Sequence, residues 1–418
     1  MSTLLTNHIT DAIIKVIRKK GGEKMNIPRG VKFIIERLNE NGNRADIVGG
    51  CVRDRLLGKT PDDYDITTDA TPEVMREVFF DLRVIDTGIK HGTLTVIVDS
   101  IPYEITTYRL DGEYSDGRHP DSVSFTKLLS DDLARRDFTI NAMCYNEKDG
   151  YTDLFFGRRD LDLRIIRAVG DPVRRFSEDA LRILRALRFA STLDFEIEEA
   201  TARAIFAKKE LLLKVSAERI FTEWKKLIAG VGAYRVIKEY SEVISLIIPE
   251  LDLKNLPDEK GFSEATPEIR ELSLFAIGAQ NPKEAYISSM QRLRSDNSRK
   301  GFGASVLDSY TLPTNDKTAI HLLLVRCGGE CAEGVLRLKA LLGMSDAREL
   351  AQLNALLGRG ACYRISDLKI NGDDLKSLGI RGKDIGDTLN KLLYAVVTQE
   401  VKNDGEELIS FVKFTLDK

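Results

Sequence analysis

The segment from Ile47 to Thr68, IVGGCVRDRLLGKTPDDYDITT, constrains the fold more than any other part of this chain. The glycine pair Gly49-Gly50, between apolar residues and CVRDRLL, predicts a strand, a tight turn and the first turns of a helix. β-branched and aromatic residues around Asp65 predict a second strand. The segment therefore predicts a strand–helix–strand unit in an α/β domain.

Two aspartates of this segment, Asp63 and Asp65, form a candidate metal site. In one extended strand they would point to the same face, with Cα atoms about 6.6 Å apart. Two carboxylates at that separation can share two divalent cations, which in phosphoryl and nucleotidyl transfer lie about 3.5–4 Å apart. A lone Asp-x-Asp is more typical of a solvated turn. Here a glycine turn and a helix N-terminus precede it, an arrangement that binds phosphate, and Arg53 can add a charged contact.

Four motifs resemble those of a known family and occur in its order. They are GGCVRDRLLG…DDYDITT, RRDFTINAM (135–143), GDPVRRFSEDALRILRALRFA (170–190) and SAERIFTEW (216–224). They are similar to the bacterial (class II) CCA-adding tRNA nucleotidyltransferase and poly(A) polymerase family, within the DNA polymerase β-like nucleotidyltransferase superfamily. The tail segment LKINGDDLKSLGIRGKDIGDTLNKLL extends the resemblance more weakly. It implies template-independent addition of C, C and A to the 3′ end of tRNA, from CTP and ATP.

The shared motifs leave alternatives open. An A-adding tRNA nucleotidyltransferase and a poly(A) polymerase would carry the same motifs. A non-catalytic tRNA-binding protein is a further alternative, which the intact Asp63 and Asp65 disfavour. The segment 109–125, RLDGEYSDGRHPDSVSF, has the composition of a surface loop. In the family a flexible loop at this place takes part in switching to addition of A, so its presence disfavours an enzyme that adds only C.

The resemblance also implies roles for individual residues. Asp63 and Asp65 match the metal-binding aspartates, which implies two Mg²⁺ ions as cofactors. The matches to nucleotide-binding positions are Gly50, Arg53, Arg136, Asp179, Arg182, Arg185 and Arg188. A salt bridge to Asp132 or Asp137 is the alternative for Arg136. Glu104, on the predicted strand PYEITTYR, is a candidate third catalytic carboxylate, and an ordinary charge on a strand face is an equal alternative.

The segment SEDALRILRALRFA predicts a helix that can select bases. Its three arginines, 182, 185 and 188, fall within an arc of about 120°, for which a solvated charged face is the alternative. An aspartate accepts hydrogen bonds and an arginine donates them. Asp179 and Arg182 therefore match the amino group and ring-nitrogen acceptor of both cytosine and adenine, whereas uracil and guanine present the reverse pattern. Glu218 and Arg219 are interpreted as structural residues that pair within the helical neck.

The order of predicted elements indicates an α+β protein. Short strands and helices alternate from about 26 to 160, and the chain beyond about Asp160 is helical in period, with no strand predicted. TPEVMREVFF predicts a helix with Thr71 as N-cap and Pro72 as first residue. The predicted parts are an N-terminal helical extension (1–25), the catalytic nucleotidyltransferase head with a mixed β-sheet (26–163) and an elongated all-helical remainder, divided into neck (164–235), body (236–335) and tRNA-binding tail (336–418).

Composition excludes some classes of protein. The 418 residues exceed one ordinary core, and no apolar run approaches the roughly 18–20 residues that span a bilayer, so we expect a cytoplasmic protein without membrane contact. Five scattered cysteines predict free thiols, and Cys327 and Cys331 lack the second pair of a zinc site. The net charge of −3 is not that of a typical RNA-binding protein, but seven arginines between 164 and 188 make that segment basic. The sequence predicts no oligomeric state.

Overall fold

The computed structural model describes residues 25–112, 114 and 122–416. The chain divides into two compact units, Met1–Val236 and Ile237–Lys418. A sheet with flanking helices occupies the first part of the chain and helices the rest, so the predicted α+β class is confirmed. The predicted N-terminal helical extension lies outside the described residues, except for Met25. The finer division into head, neck, body and tail stays a prediction.

A seven-stranded sheet forms the centre of the first unit. The strands of this region are β1 Ala45–Val48, β2 Asp65–Thr68, β3 Arg83–Gly88, β4 Thr93–Val98, β5 Ile101–Thr107, β6 Arg109–Asp111, β7 Val123–Phe125, β8 Met143–Asn146 and β9 Gly150–Asp153. The order in the sheet is β3-β4-β5-β2-β1-β8-β9, and β6 and β7 form a separate hairpin. Strands β2 and β5 run parallel, and the other neighbours are antiparallel. All four residues of β1 are buried, as expected near the middle of a covered sheet.

Five helices of the described chain accompany the sheet: α1 Arg29–Glu40, α2 Gly50–Leu56, α3 Pro72–Val78, α4 Leu129–Ala134 and α5 Gly157–Asp162. Helix α3 confirms its predicted start, because the Thr71 side chain accepts a hydrogen bond from the Val74 amide and Pro72 is the first helical residue. Helix α1 buries Val31, Ile34 and Leu38 at helical spacing, which packs one face of it against the sheet.

The predicted strand through both aspartates is wrong in one respect, because β2 begins at Asp65 and Asp63 precedes it. The last pair of β1 and β2 joins Val48 to Asp65, and β1 then turns away at Gly49, so Asp63 has no partner strand. Strand β8 likewise begins only at Met143, after a 3₁₀ turn over Thr139–Asn141. Hairpin β6–β7 closes the two ends of the predicted loop, whose residues 113 and 115–121 lie outside the described chain.

Beyond the sheet the first unit continues as helices with one small pair of strands. The helices are α6 Pro172–Glu178, α7 Leu181–Leu193, α8 Glu199–Lys208 and α9 Ala217–Ala229, and the strands are β10 Ile165–Ile166 and β11 Glu196–Ile197, which pair in parallel. The expectation of no strand after Asp160 is therefore wrong, because strands of two residues are too short to give an alternating pattern. The single predicted helix through Asp179 is also wrong, since the chain there is extended, with φ −139° and ψ 105°.

Helix α9 packs closely along α7. Trp224, the only tryptophan of the chain, is almost completely buried on the inner face of α9. The Ser191 hydroxyl of α7 donates to the Leu227 carbonyl at 2.6 Å. A Cβ atom on Gly230 would lie 2.1 Å from the Ser191 hydroxyl oxygen, so glycine is required for this approach. The packing fixes α7, which carries the predicted base-selecting residues, against a second helix.

The second unit is helical over the residues described. Its helices are α10 Ala233–Glu239, which begins in the first unit, α11 Ser241–Ile247, α12 Glu259–Glu264, α13 Pro267–Gly278, α14 Pro282–Arg292, α15 Asn297–Ser309, α16 Lys317–Leu341, α17 Ala347–Gly358, α18 Gly372–Ser377, α19 Lys383–Val397 and α20 Gly405–Leu416. Cys327 and Cys331 lie in α16, and all five cysteines are free thiols, as predicted. No helix in the described ranges has the length and apolar character to cross a membrane.

Candidate active site

The turn after β1 brings the backbone close to two charged side chains. Gly49 has φ +83°, a left-handed conformation that side chains rarely adopt. A Cβ atom on Gly49 would lie 3.1 Å from Nη1 of Arg136 and 4.0 Å from Oδ2 of Asp65. Helix α2 starts at Gly50 immediately afterwards. The glycine turn therefore meets a carboxylate and a guanidinium at one point of the sheet edge.

Three carboxylates lie at this edge. Asp65 pairs with Val48 across β1, and the parallel register of β2 and β5, in which Ile66 pairs with Ile105, sets Glu104 beside Asp65. Asp65 is exposed, but the protein atoms around its carboxylate remove part of its hydration and raise its pKa; the negative charges of Asp63 and Glu104 raise it further, while Arg136 opposes them. Within the described ranges, no three acidic, histidine or cysteine side chains are close enough to hold a metal ion by themselves.

Arg53 and Arg136 border the glycine turn from two sides. Arg53 makes a bidentate contact with Asp54, and its Nη1 donates to Oδ1 of Asn141 at 2.6 Å. Arg136 pairs with the buried Asp132 at 3.2 Å, one of the two partners considered for it. The Nε of Arg136 is buried without a hydrogen-bond partner among the described residues. Arg136 therefore retains a donor that no described residue satisfies.

Asp137 links the head to the arginine face of α7. Arg185 donates to Oδ2 of Asp137 from Nε at 2.8 Å and from Nη2 at 2.6 Å, and Asn141 donates to Oδ1 at 3.0 Å. Burial alone would raise the pKa of Asp137, but the Arg185 charge and these hydrogen bonds lower it to about 2. The sequence offered Asp137 only as a possible partner of Arg136.

The other two arginines of α7 also have carboxylate partners. Arg182 donates from Nη1 to Glu178 at 2.8 Å and from Nη2 to the carbonyl of Arg135 at 3.2 Å. Arg188 donates from Nε to Glu223 of α9 at 2.9 Å. All three arginines of this face are partly buried. The alternative of a solvated charged face is therefore wrong.

Three of these guanidinium groups lie near the aromatic ring of Phe189. The central carbons of Arg53, Arg185 and Arg188 lie 4.9, 5.5 and 3.5 Å from the centre of the Phe189 ring. Phe138 meets the same ring edge-to-face at 5.7 Å. Cations within about 6 Å of a ring face are attracted by its quadrupole. Phe189 was not a predicted site residue, because its spacing along α7 only marks it as apolar core.

Asp179 lies in the break between α6 and α7, where both of its carboxylate oxygens are engaged. Oδ1 accepts from the Leu181 amide at 3.0 Å, and Oδ2 accepts from Nη2 of Arg219 at 2.8 Å. The sequence interpretation of Arg219 as a structural residue that pairs within the neck did not name Asp179 as its partner, since nothing in SAERI points back to residue 179. Arg182 does not bond to the Asp179 side chain in the contacts described.

The predicted site residues therefore fall into two connected groups. Gly50, Arg53, Arg136, Asp65 and Glu104 surround the glycine turn, and Asp63 lies close enough to affect Asp65. Asp179, Arg182, Arg185 and Arg188 lie on or beside α7. The path Arg53–Asn141–Asp137–Arg185 joins the groups by hydrogen bonds. Asn141 and Asp137 belong to RRDFTINAM, the motif that carried Arg136, but their roles were not predicted.

Models of three protein families match successive parts of the chain. The Poly A polymerase head domain matches residues 45–167. A domain described as "Probable RNA and SrmB- binding site of polymerase A" matches residues 194–252. A tRNA nucleotidyltransferase domain 2 model matches residues 265–412. The matched regions cover the sheet with its glycine turn and most of the helices from α8 onward, whereas α6 and α7 lie between the first two matches.

Similar proteins extend over nearly the whole chain. A CCA-adding enzyme of Lactobacillus delbrueckii subsp. bulgaricus is 37% identical over 394 residues, covering 91% of this chain and 96% of the relative. A CCA-adding enzyme of Pediococcus pentosaceus is 34% identical over 398 residues, with 91% and 96% covered. The chain belongs to the family of CCA-adding tRNA nucleotidyltransferases. The resemblance inferred from the four motifs is thereby confirmed.

Solved structures of CCA-adding enzymes share the fold. The Bacillus stearothermophilus CCA-adding enzyme in complex with CTP superposes with a TM-score of 0.78 at 30% identity, covering 94% of this chain and 98% of that one. The Thermotoga maritima CCA-adding enzyme complexed with tRNA matches with a TM-score of 0.67 at 22% identity, over 96% and 98% of the two chains. The likeness to the latter concerns the fold alone.

Proposed function

We propose that this protein adds C, C and A to the 3′ end of tRNA without a template, from CTP and ATP, and releases pyrophosphate. Relatives at 34–37% identity over about nine-tenths of the chain carry the name CCA-adding enzyme, and the relative solved with CTP shares the fold. The observation that carries the proposal is the meeting of Asp65 and Arg136 at the Gly49 turn, which sets a carboxylate and an unsatisfied guanidinium donor beside one backbone turn. We also infer a cytoplasmic location, because tRNA is the substrate.

The carboxylates of this edge fit Mg²⁺. Carboxylate oxygens are its preferred ligands, and it is usually held by one or two carboxylates, with waters and substrate phosphates as the remaining ligands. A site with few protein ligands agrees with the absence of a three-ligand cluster in the described residues. Asp63 and Asp65 would hold two ions, and Glu104 would act as the third catalytic carboxylate. Bound in pairs, such ions activate an attacking hydroxyl and neutralise charge on the leaving group.

The residues around the turn would bind the triphosphate. Gly50 begins α2 and has no side chain to obstruct an approaching phosphate. Arg53 is held in place by Asp54 and Asn141, so its position is set before a nucleotide arrives. Arg136 offers its buried, unsatisfied Nε. These contacts are common to all nucleotides and carry no information about the base.

Asp179 and Arg182 would read the base, and Arg185 and Arg188 would contact the nucleotide beside them. The Asp179 carboxylate accepts from the amino group of cytosine or adenine, and Arg182 donates to the neighbouring ring nitrogen. With uracil or guanine, the Asp179 carboxylate would face a carbonyl acceptor and Arg182 would face an N–H donor. Each mismatched group costs roughly 1–3 kcal/mol when water is excluded. Each of the three arginines already has a carboxylate partner, which supports a site that is preorganised before the nucleotide binds.

Three RNA substrates test this proposal against its alternatives. Labelled CTP and ATP are offered singly and together to tRNA lacking CCA, tRNA ending in CC, and an unstructured RNA. The proposal expects addition of exactly three nucleotides to the first substrate and one A to the second. The family model named for poly(A) polymerase makes that enzyme the main alternative. Long A tracts on unstructured RNA would establish it, A addition to tRNA-CC alone would establish an A-adding enzyme, and binding without incorporation would establish a non-catalytic protein.

A further inference from the structure

Arg219 reaches from the first turn of α9 to the break between α6 and α7. Its Nη2 donates to Oδ2 of Asp179 at 2.8 Å, and the two side chains are only 23% and 16% exposed. The contact is a charge-assisted hydrogen bond, which is stronger and better oriented than a neutral one. Because α9 packs along α7, with the Ser191 hydroxyl donating to the Leu227 carbonyl, Arg219 approaches from a fixed direction.

Among the described residues, the Asp179 carboxylate has one other hydrogen-bond partner, which is the Leu181 amide on Oδ1. An ionised carboxylate has about four lone-pair sites. These two contacts take one site on each oxygen, and the other described residues leave one on each for a ligand. With the Leu181 contact alone, a single hydrogen bond would restrain the terminal torsion of Asp179, which is otherwise broad. Arg219 therefore sets the direction in which the remaining acceptor sites point.

We propose that Arg219 is a positioning residue that determines nucleotide specificity. It holds the Asp179 carboxylate so that the free lone pairs face the amino group of cytosine or adenine, and it touches no substrate itself. The inference rests on the proposed function, in which Asp179 reads the base. Arg219 thereby acts on the choice between nucleotides and not on the metal or triphosphate contacts, which lie at the Gly49 turn.

The test compares the full-length wild type with Arg219→Ala, Arg219→Lys, Asp179→Ala and the double variant. Single-turnover rates are measured for each of the four nucleotides on matched tRNA ends. We expect Arg219→Ala to lower the preference for CTP over UTP, and for ATP over GTP, by about ten-fold, in line with the loss of one oriented charged hydrogen bond. Arg219→Lys, which keeps a charged donor, should recover part of that preference. The preference is a ratio within one preparation, so a partly unfolded fraction cancels.

The double variant and a control complete the design. Because Arg219 acts through Asp179, the double variant should show the same preference as Asp179→Ala alone. Arg203→Ala is the matched control, because Arg203 pairs with Glu199 on the exposed side of α8 and should leave rate and preference unchanged. An equal fall for all four nucleotides in Arg219→Ala, or no change of preference, would overturn the inference while Asp179→Ala still loses discrimination. Unchanged discrimination in Asp179→Ala would instead remove the base-reading proposal on which it rests.

Discussion

The carboxylate of Asp137 and the guanidinium of Arg185 form an ion pair between the sheet-bearing head and α7. The same carboxylate accepts from Asn141, which in turn accepts from Arg53 beside the glycine turn. A single, largely buried aspartate thus lies between the proposed triphosphate contacts and the proposed base-reading helix. Any change in the charge of Asp137 should therefore affect both the triphosphate contacts and the base-reading helix.

The ion pair of Asp137 predicts a pH-dependent stability. The pKa of Asp137 is about 2 in the folded protein, against about 3.9 for an unperturbed aspartate. Its stabilisation is present above about pH 4 and is lost as the pH falls through 2, and it amounts to about 2–3 kcal/mol. Asp137→Asn should cost about 1–3 kcal/mol at neutral pH, because the partly buried Arg185 loses the charge of its partner.

Urea unfolding followed by the fluorescence of Trp224 measures this effect, since this tryptophan is the only one and is buried in the same unit. The difference between wild type and Asp137→Asn should shrink between pH 5 and pH 2. The exposed Asp162, changed to Asn, is the control and should follow the wild type. If the difference in the free energy of unfolding did not change with pH, pairing with Arg185 would not be what lowers the pKa of Asp137.

The carboxylates at the start of β2 predict a loss that does not depend on the base. Asp63→Asn and Asp65→Asn should each reduce incorporation of every nucleotide by more than about a hundredfold, because each removes a ligand from the proposed two-metal site. Asp62→Asn, at the neighbouring exposed position, is the matched control and should retain activity. Radiolabelled nucleotide incorporation at fixed Mg²⁺ gives the measurement. Full CTP incorporation by Asp65→Asn would disprove the site.

Asp179 and Arg182, the proposed base-reading pair, predict a loss that does depend on the base. Asp179→Ala and Arg182→Ala should lower the preference for C and A over U and G by about ten- to a hundredfold, while the triphosphate contacts remain. Single-turnover rates with each nucleotide on matched tRNA ends measure it. Wild-type preference in Asp179→Ala would show that the choice of base lies elsewhere.

The left-handed glycine of the turn predicts a distinct local effect. Gly49→Ala strains the backbone, and its Cβ would lie 3.1 Å from Nη1 of Arg136. We expect destabilisation of about 1–2 kcal/mol and a fall in the turnover rate as Arg136 shifts. Gly42→Ala is the control, because Gly42 also has positive φ but nothing within 4 Å of its Cβ position. Equal turnover by the two variants would show that Arg136 is not displaced; thermal unfolding and single-turnover rates are the measurements.

The sequence predicted the sheet segments and the N-cap of α3 because these features depend on local spacing and propensity. Thr71, Pro72 and the apolar run of β1 carry their signals within a few residues. The start of β2 was misplaced because it depends on where its partner strand ends, at Val48. The pair β10–β11 joins segments about thirty residues apart and has too few residues for a pattern.

The site was predictable to the extent that its motifs are local. Asp63, Asp65, Arg53 and the arginines of α7 stand in recognisable segments. Their partners were not predictable, because Glu223 and Arg219 belong to a different helix and meet α7 only after the helices pack. The break at Asp179 was missed because apolar spacing continues across it, while the capping of Leu181 interrupts the helix.

The arginines of α7 bond to carboxylates on three different elements: Glu178 on α6, Asp137 in the head and Glu223 on α9. These contacts fix the rotational phase of α7 as well as its position. Deleting a single residue early in the helix would rotate everything after it by about 100° and separate the later arginines from their partners together. The helix should therefore accept many replacements of its outward residues but no change in its length.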